Sequence, residues 1–149
     1  MLLTSRSRQL NEFAFMQEPV VFQLSLTVGT QHLDELNHVN NVVYVQWVQD
    51  VAEAHWKHSA PSAVQSQYVW VVLRHEVDYK SAARLGDELT LKTWVATMDG
   101  VRSDRMVQII RSGDQKILAE AKTTWCLLHA SQQRPARIPD EIKLIFWRT

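Results

Sequence analysis

The chain predicts an α+β domain: a curved antiparallel sheet of about five strands wrapped around one long helix, with a short helix near the C-terminal end. Three observations carry that expectation. One stretch, residues 44–58, repeats apolar residues at helical spacing, four strand-like stretches with short links follow it, and Asp99-Gly100 between two of these is a strong hairpin signal. A chain of 149 residues with 46% hydrophobic content has the length of one domain and enough apolar material for a core.

The elements follow in order. Residues 1–15 contain Arg6, Arg8, Asn11 and Glu12 with no continuous apolar run, and are expected to form a loose tail ahead of a single domain over residues 16–149. Residues 20–30 alternate, with Phe22, Leu24, Leu26 and Val28 against Gln23, Ser25 and Thr27, the period-2 mark of a half-buried strand. The helix puts Tyr44, Trp47, Val48, Val51 and His55 on one face and Gln46, Gln49, Asp50, Glu53 and Lys57 on the other. Asn40 or Asn41 can cap its start, and Pro61 stops it near His58. A small-residue connection leads to residues 68–79, apolar on both faces up to Leu73 and then alternating with Arg74, Glu76 and Asp78, so the first half is expected to be deeply buried and the second wet. Residues 88–98, 101–112 and 116–129 read as an antiparallel meander turning at Asp99-Gly100 and Ser112-Gly113-Asp114. Pro139 suits the first position of a short helix with Ile142, Ile145 and Phe146 on one side.

Composition narrows the function classes. Sixteen basic and sixteen acidic residues cancel, leaving no global field to draw the chain onto nucleic acid or an anionic membrane. Nothing approaches the apolar length needed to span a bilayer, so no membrane partner is expected. The single cysteine, Cys126, lies in an apolar strand pattern and reads as a small buried hydrophobe, which fits a reducing, cytoplasmic setting. His55 and His58 share a helix turn without a third ligand at a recognisable spacing, so no metal or other cofactor is expected. No Gly-rich phosphate loop and no G-x-S-x-G are present.

The densest chemistry lies at residues 34–47, where Asp34, Asn37, His38, Val39, Asn40 and Asn41 precede Tyr44 and Trp47. This D-x-x-N-H-V-N-N-x-x-Y-x-x-W run resembles the signature of hot-dog-fold thioesterases, in the branch that includes 4-hydroxybenzoyl-CoA thioesterase and the acyl-acyl-carrier-protein thioesterases. Val77-Asp78-Tyr79, Gly86-Asp87-Glu88-Leu89, Thr124 to Leu128, Arg134-Pro135 and Ile138-Pro139 follow in the order and rough spacing of that family, extending the resemblance over roughly residues 20–145. It implies a hot-dog fold, hydrolysis of an acyl-CoA or acyl-carrier-protein thioester, and a homodimer or homotetramer with sites between subunits.

Thioester hydrolysis needs a carboxylate to attack or to deprotonate water, and donors where the oxyanion forms. Asp34 supplies the first, as nucleophile or general base, with turn capping as its structural alternative. The backbone N–H groups of Val39, Asn40 and Asn41 at the positive end of the helix are candidates for the second. His38 either tunes Asp34 or ties the loop to the sheet, and Asn41 either orients a water or caps the helix. Asn37 stands where many relatives carry glycine, at a point of backbone approach to substrate. Tyr44 and Trp47 read as core and pocket wall. Asp50 or Glu53 would serve in a helix-carboxylate variant, although a solvated face explains them equally. Lys80, Arg84, Arg102, Arg105 and Arg111 could meet phosphates, or simply be solvated. A non-catalytic acyl binder would have no use for a carboxylate at position 34; a dehydratase would need an Asp/His pattern that this chain does not offer.

Overall fold

A computed structural model describes residues 17–148; the expected tail lies outside them. The elements in chain order are β1 (Glu18–Pro19), β2 (Phe22–Thr27), a 3-10 turn (Thr30–His32), α1 (Asn41–Ser59), α2 (Ser62–Gln67), β3 (Tyr68–Tyr79), β4 (Glu88–Asp99), β5 (Arg102–Arg111), β6 (Lys116–His129), α3 (Asp140–Phe146) and β7 (Trp147–Arg148). The main sheet has the order β2-β4-β5-β6-β3, and every neighbouring pair is antiparallel. A separate pair, β1 with β7, joins the ends of the described chain. The expected α+β architecture and meander are both present.

Helix α1 explains the arrangement. Tyr44, Trp47, Val48, Val51 and His55 recur at three- and four-residue intervals, so helical geometry gathers them on one face, and all five are buried. They meet Leu89, Leu91, Val107, Ile109, Leu118 and Ala121, the inward positions of alternating β4, β5 and β6. Side chains of this kind contribute roughly 1.5–3 kcal/mol each on burial. Register shifts at Val72/Arg74, Val95/Thr97 and Ile109/Ile110 mark the irregularities that give such a sheet its curvature. A second apolar cluster, including Leu127, Ala136, Ile138, Ile142 and Phe146, seats α3 beside the C-terminal half of α1.

Two expectations change. The connection after Pro61 contains α2: the Pro61 carbonyl accepts from Val64 N (2.9 Å) and Gln65 N (3.0 Å). The Gln65 side chain then donates to the carbonyls of Ala60 (2.8 Å) and Lys57 (3.1 Å), satisfying acceptors freed where α1 ends. The first half of β3 is not deeply buried in the single chain: Val69, Val71 and Leu73 are 40%, 38% and 49% exposed. The reason is position. β3 is an edge strand paired only with β6, so its apolar residues on both faces reflect a surface that one chain leaves open.

The core reading has a direct test. Leu91→Ala, at a site 1% exposed, should cost about 2–5 kcal/mol in urea unfolding, whereas Val42→Ala, at 72% exposure, should stay within about 0.5 kcal/mol of the parent.

Candidate active site

The loop from Leu33 to Val39 is closed by an antiparallel bridge between those two residues. Within it the Asp34 N–H donates to the His38 carbonyl (2.8 Å) and the Asn37 N–H to the Asp34 carbonyl (3.1 Å). The Asp34 carboxylate takes part through one oxygen: Oδ1 accepts from Leu36 N (2.9 Å) and His38 N (3.1 Å), while Oδ2 has no protein hydrogen-bond partner among the described residues. The turn therefore holds the carboxyl group in one orientation and leaves its second oxygen open. Asn37 has φ 58°, a left-handed conformation that glycine and asparagine tolerate best, which accounts physically for an exchange between the two at this point.

The loop feeds straight into the helix. The Asn40 side chain accepts from Val42 N (3.1 Å) and is the cap, so of the two asparagines Asn41 is relieved of that role and its side chain is exposed. The expected row of oxyanion donors is shorter than the sequence suggested. The Val39 N–H donates to the Ala83 carbonyl (3.2 Å) and the Asn40 N–H to the His32 carbonyl (2.9 Å), which leaves Asn41 N–H as the one of the three with no partner among the described residues.

The other expected site residues divide. His38 contacts Asp34 through its backbone, and its ring makes no hydrogen bond among the described residues. Val39 is 3% exposed. Tyr44 and Trp47 are core: the Tyr44 hydroxyl accepts from Ala83 N (2.8 Å), burial pushes its pKa up, and Trp47 meets the His32 and Tyr44 rings edge-on. Ala83, itself fully buried, thus bonds the loop through its carbonyl and the helix through its N–H. Of the helix carboxylates, Asp50 accepts through Oδ1 from Gln46 (2.8 Å) and Glu53 pairs through Oε1 with exposed Lys57 (2.7 Å).

Arg105 departs most from expectation. Arg105, read as one of several surface cations, is 6% exposed, and its Nη1 donates to His55 Nδ1 (2.9 Å) and Thr93 Oγ1 (3.2 Å). The signal was available: Ser103, Arg105, Val107 and Ile109 occupy one alternating face of β5, and all four are buried. Because arginine only donates, His55 Nδ1 must accept and the ring proton sits on Nε2. His55 is therefore a core imidazole, and among the described residues no three His, Cys, Asp or Glu side chains gather where they could hold a metal. His75, partly buried, links Gln49 (3.2 Å) to Thr123 (2.8 Å), a helix-to-sheet tie that the sequence reading did not pick out.

Burial, and then the Arg105 and His58 charges, hold the His55 pKa down to about 3. An unfolded chain binds that proton below its ordinary value of 6.5, and the native state does so only near 3, so stability must fall as pH drops through this window. Urea midpoints at pH 7 and 4.5 should show His55→Gln losing about 2–3 kcal/mol less than the parent on acidification.

The family model of the thioesterase-like superfamily matches residues 28–146. Long-chain acyl-CoA thioesterase FadM of Escherichia coli is 24% identical over 127 residues, covering 81% of this chain and 93% of that protein. The chloroplastic palmitoyl-acyl carrier protein thioesterase of Cuphea hookeriana is 22% identical over 141 residues, 87% of this chain but 34% of the plant protein, so the chain spans about a third of that relative. Among solved structures, Slr0204, a 1,4-dihydroxy-2-naphthoyl-CoA thioesterase from Synechocystis, has a TM-score of 0.73 at 15% identity, covering 85% of this chain and 95% of that one. YbaW, a probable thioesterase from Escherichia coli, has a TM-score of 0.70 at 23% identity, with coverages of 83% and 94%. The fold is the hot-dog fold that the resemblance implied.

Proposed function

The chain belongs to the thioesterase-like superfamily, and from that membership we propose that it hydrolyses acyl-CoA to a free carboxylic acid and coenzyme A within a single domain. The observation that carries the reading is the Asp34 turn. One carboxylate oxygen is pinned by two backbone donors, the other is open, and the free Asn41 N–H lies at the positive end of a 19-residue helix. Either Oδ2 attacks the thioester carbonyl, or it takes a proton from a water that attacks; both routes place negative charge on the carbonyl oxygen, which an N–H at a helix terminus stabilises. Asn41, with its exposed amide, is suited to orient the water.

Coenzyme A is favoured as the carrier because the acyl-CoA thioesterase relative is matched over nearly its whole length. A carrier-protein thioester is the second reading, supported by the plant relatives. A buried free thiol at Cys126 suits a reducing cytoplasm, and no helix among the described residues is long and apolar enough to cross a membrane.

Asp34→Asn should retain the fold and lower thioester hydrolysis by at least about 100-fold, read as thiol release with acyl-CoAs of short, medium, long and aromatic type. If the variant keeps parental turnover while Asp50→Asn or Glu53→Gln loses it, a helix carboxylate carries the reaction. Saturable binding of these thioesters to the parent without thiol release, with carrier-protein thioesters equally inert, would make the protein a binder.

The open edge of β3, with Val69, Val71 and Leu73 exposed, is the surface on which we propose that a second copy joins, as a dimer or as half of a tetramer. Light scattering at micromolar concentration should give twice or four times the chain mass. A stable, active monomer would overturn the pairing.

A further inference from the structure

We propose that Tyr79 is a positioning residue for thioester hydrolysis: its hydroxyl holds the Asn41 carbonyl and thereby aims the Asn41 N–H at the thioester oxygen. This role rests on the Asp34 loop being a hydrolytic site, and it adds to that loop a residue from β3. Tyr79 closes β3, and its hydroxyl donates to the Asn41 carbonyl at 3.1 Å. The two residues are 38 positions apart, so the fold makes this contact and local chain geometry does not.

The acceptor is the informative part. At a helix N-terminus the groups short of partners are N–H groups, whereas the carbonyls of the first turn accept from residues four positions further on. Asn41 is the first residue of α1, so its carbonyl has no deficit for a tyrosine to fill. Tyr79 is 45% exposed, and water could satisfy its hydroxyl as well as a carbonyl does. The bond therefore adds little to stability; what it adds is direction. On the other side of Asn41, the Asn40 carbonyl accepts from Val43 N (2.9 Å) and the Asn40 side chain from Val42 N (3.1 Å). The Asn41 N–H shares a planar peptide with the Asn40 carbonyl, and the Asn41 carbonyl begins the next peptide. With a hydrogen bond on each of these carbonyls, both planes flanking the Asn41 α-carbon are held, and the N–H keeps one heading.

Tyr79 is itself presented from a fixed base. Its backbone is in register with Ala119 of β6, and the two residues that follow, Lys80 and Ser81, both donate to the Leu118 carbonyl (2.8 and 3.0 Å). Its ring stands edge-on to that of Tyr44, with 5.5 Å between centroids, and the Tyr44 hydroxyl is fixed in turn by Ala83 N. Sheet and helix thus meet at one hydroxyl. A donor that stabilises charge forming on a carbonyl oxygen works by being in place beforehand, and a displacement of ~1 Å can cost about 100-fold in rate.

The test is Tyr79→Phe in the full chain, which keeps the ring against Tyr44 and removes only the hydroxyl. Among acetyl-, octanoyl-, palmitoyl- and benzoyl-CoA, the one that the parent hydrolyses fastest serves throughout. Tyr79→Phe should lower kcat about ten-fold and leave KM within about two-fold of the parent, with the parent's urea midpoint. A second readout does not need turnover. In the Asp34→Asn background, the infrared carbonyl band of that thioester, isotopically labelled at the carbonyl carbon, should fall to lower frequency on binding. Adding Tyr79→Phe should return it part of the way. Parental kcat in Tyr79→Phe, a loss confined to KM, or a carbonyl band that Tyr79→Phe does not move would each overturn the positioning role and leave the Asp34 reaction standing. A parent that releases no thiol from these CoA thioesters or from carrier-protein thioesters overturns the reaction, and the role of Tyr79 with it.

Discussion

Everything in this molecule depends on one face of α1 being buried against the sheet. A helix of 19 residues with Tyr44, Trp47, Val48, Val51 and His55 along one side can satisfy that side only against an apolar surface of comparable length, and the inward residues of β4, β5 and β6 supply it. Once the helix is seated, both of its ends are fixed. The N-terminal end points at the Asp34 turn, and the C-terminal half faces an aromatic pocket with Trp70, Arg105, Trp125 and Phe146 in its lining.

The two ends solve opposite problems. At the N-terminus the difficulty is a surplus of backbone donors, and the fold deals with it by assignment: Val42 to the Asn40 side chain, Asn40 to His32, Val39 to Ala83. The Asp34 Oδ2 and the Asn41 N–H are left without partners among the described residues, a small polar opening ahead of the helix. In the C-terminal half the difficulty is a charge. Burial pulls the Arg105 pKa down to about 9, so the guanidinium still carries its proton at neutral pH while surrounded by indoles, a phenyl ring and a neutral imidazole. One end thus leaves a carboxylate oxygen and an N–H open, and the other keeps a cation buried.

Much of this was legible in the sequence because periodicity reports burial. The helix face, the alternation of Phe22, Leu24 and Leu26, and the Asp99-Gly100 hairpin follow from local spacing alone, and Gly100 does take a positive φ, 60°. The Asp34 loop was legible as a motif, but its bonding was not: which asparagine caps, and which N–H groups are taken by Ala83 and His32, depend on residues more than forty positions away or across a turn. Arg105 was misread because charge was weighed above position, although its alternation with Val107 and Ile109 marked it as inward. The exposure of Val69 and Val71 was beyond the sequence, since an apolar strand does not say whether its cover comes from its own chain. The α2 turn was missed because residues 62–67 are too few to show a helical period.

Loops usually vary freely in length, and the segment joining β3 to β4 breaks that habit. Ala83 holds the loop before α1 with its carbonyl and Tyr44 with its N–H, while Lys80 and Ser81 donate to the Leu118 carbonyl and Gly86 to that of Val28. An inserted residue here would slide the anchor that holds the Asp34 loop, so this connection is held to length by the bonds it makes to that loop and to α1. The turn over residues 130–135 carries no such duty toward that loop. In a lineage of related chains, growth and shrinkage would collect in that turn, and the stretch between β3 and β4 would keep its count even where its side chains drift.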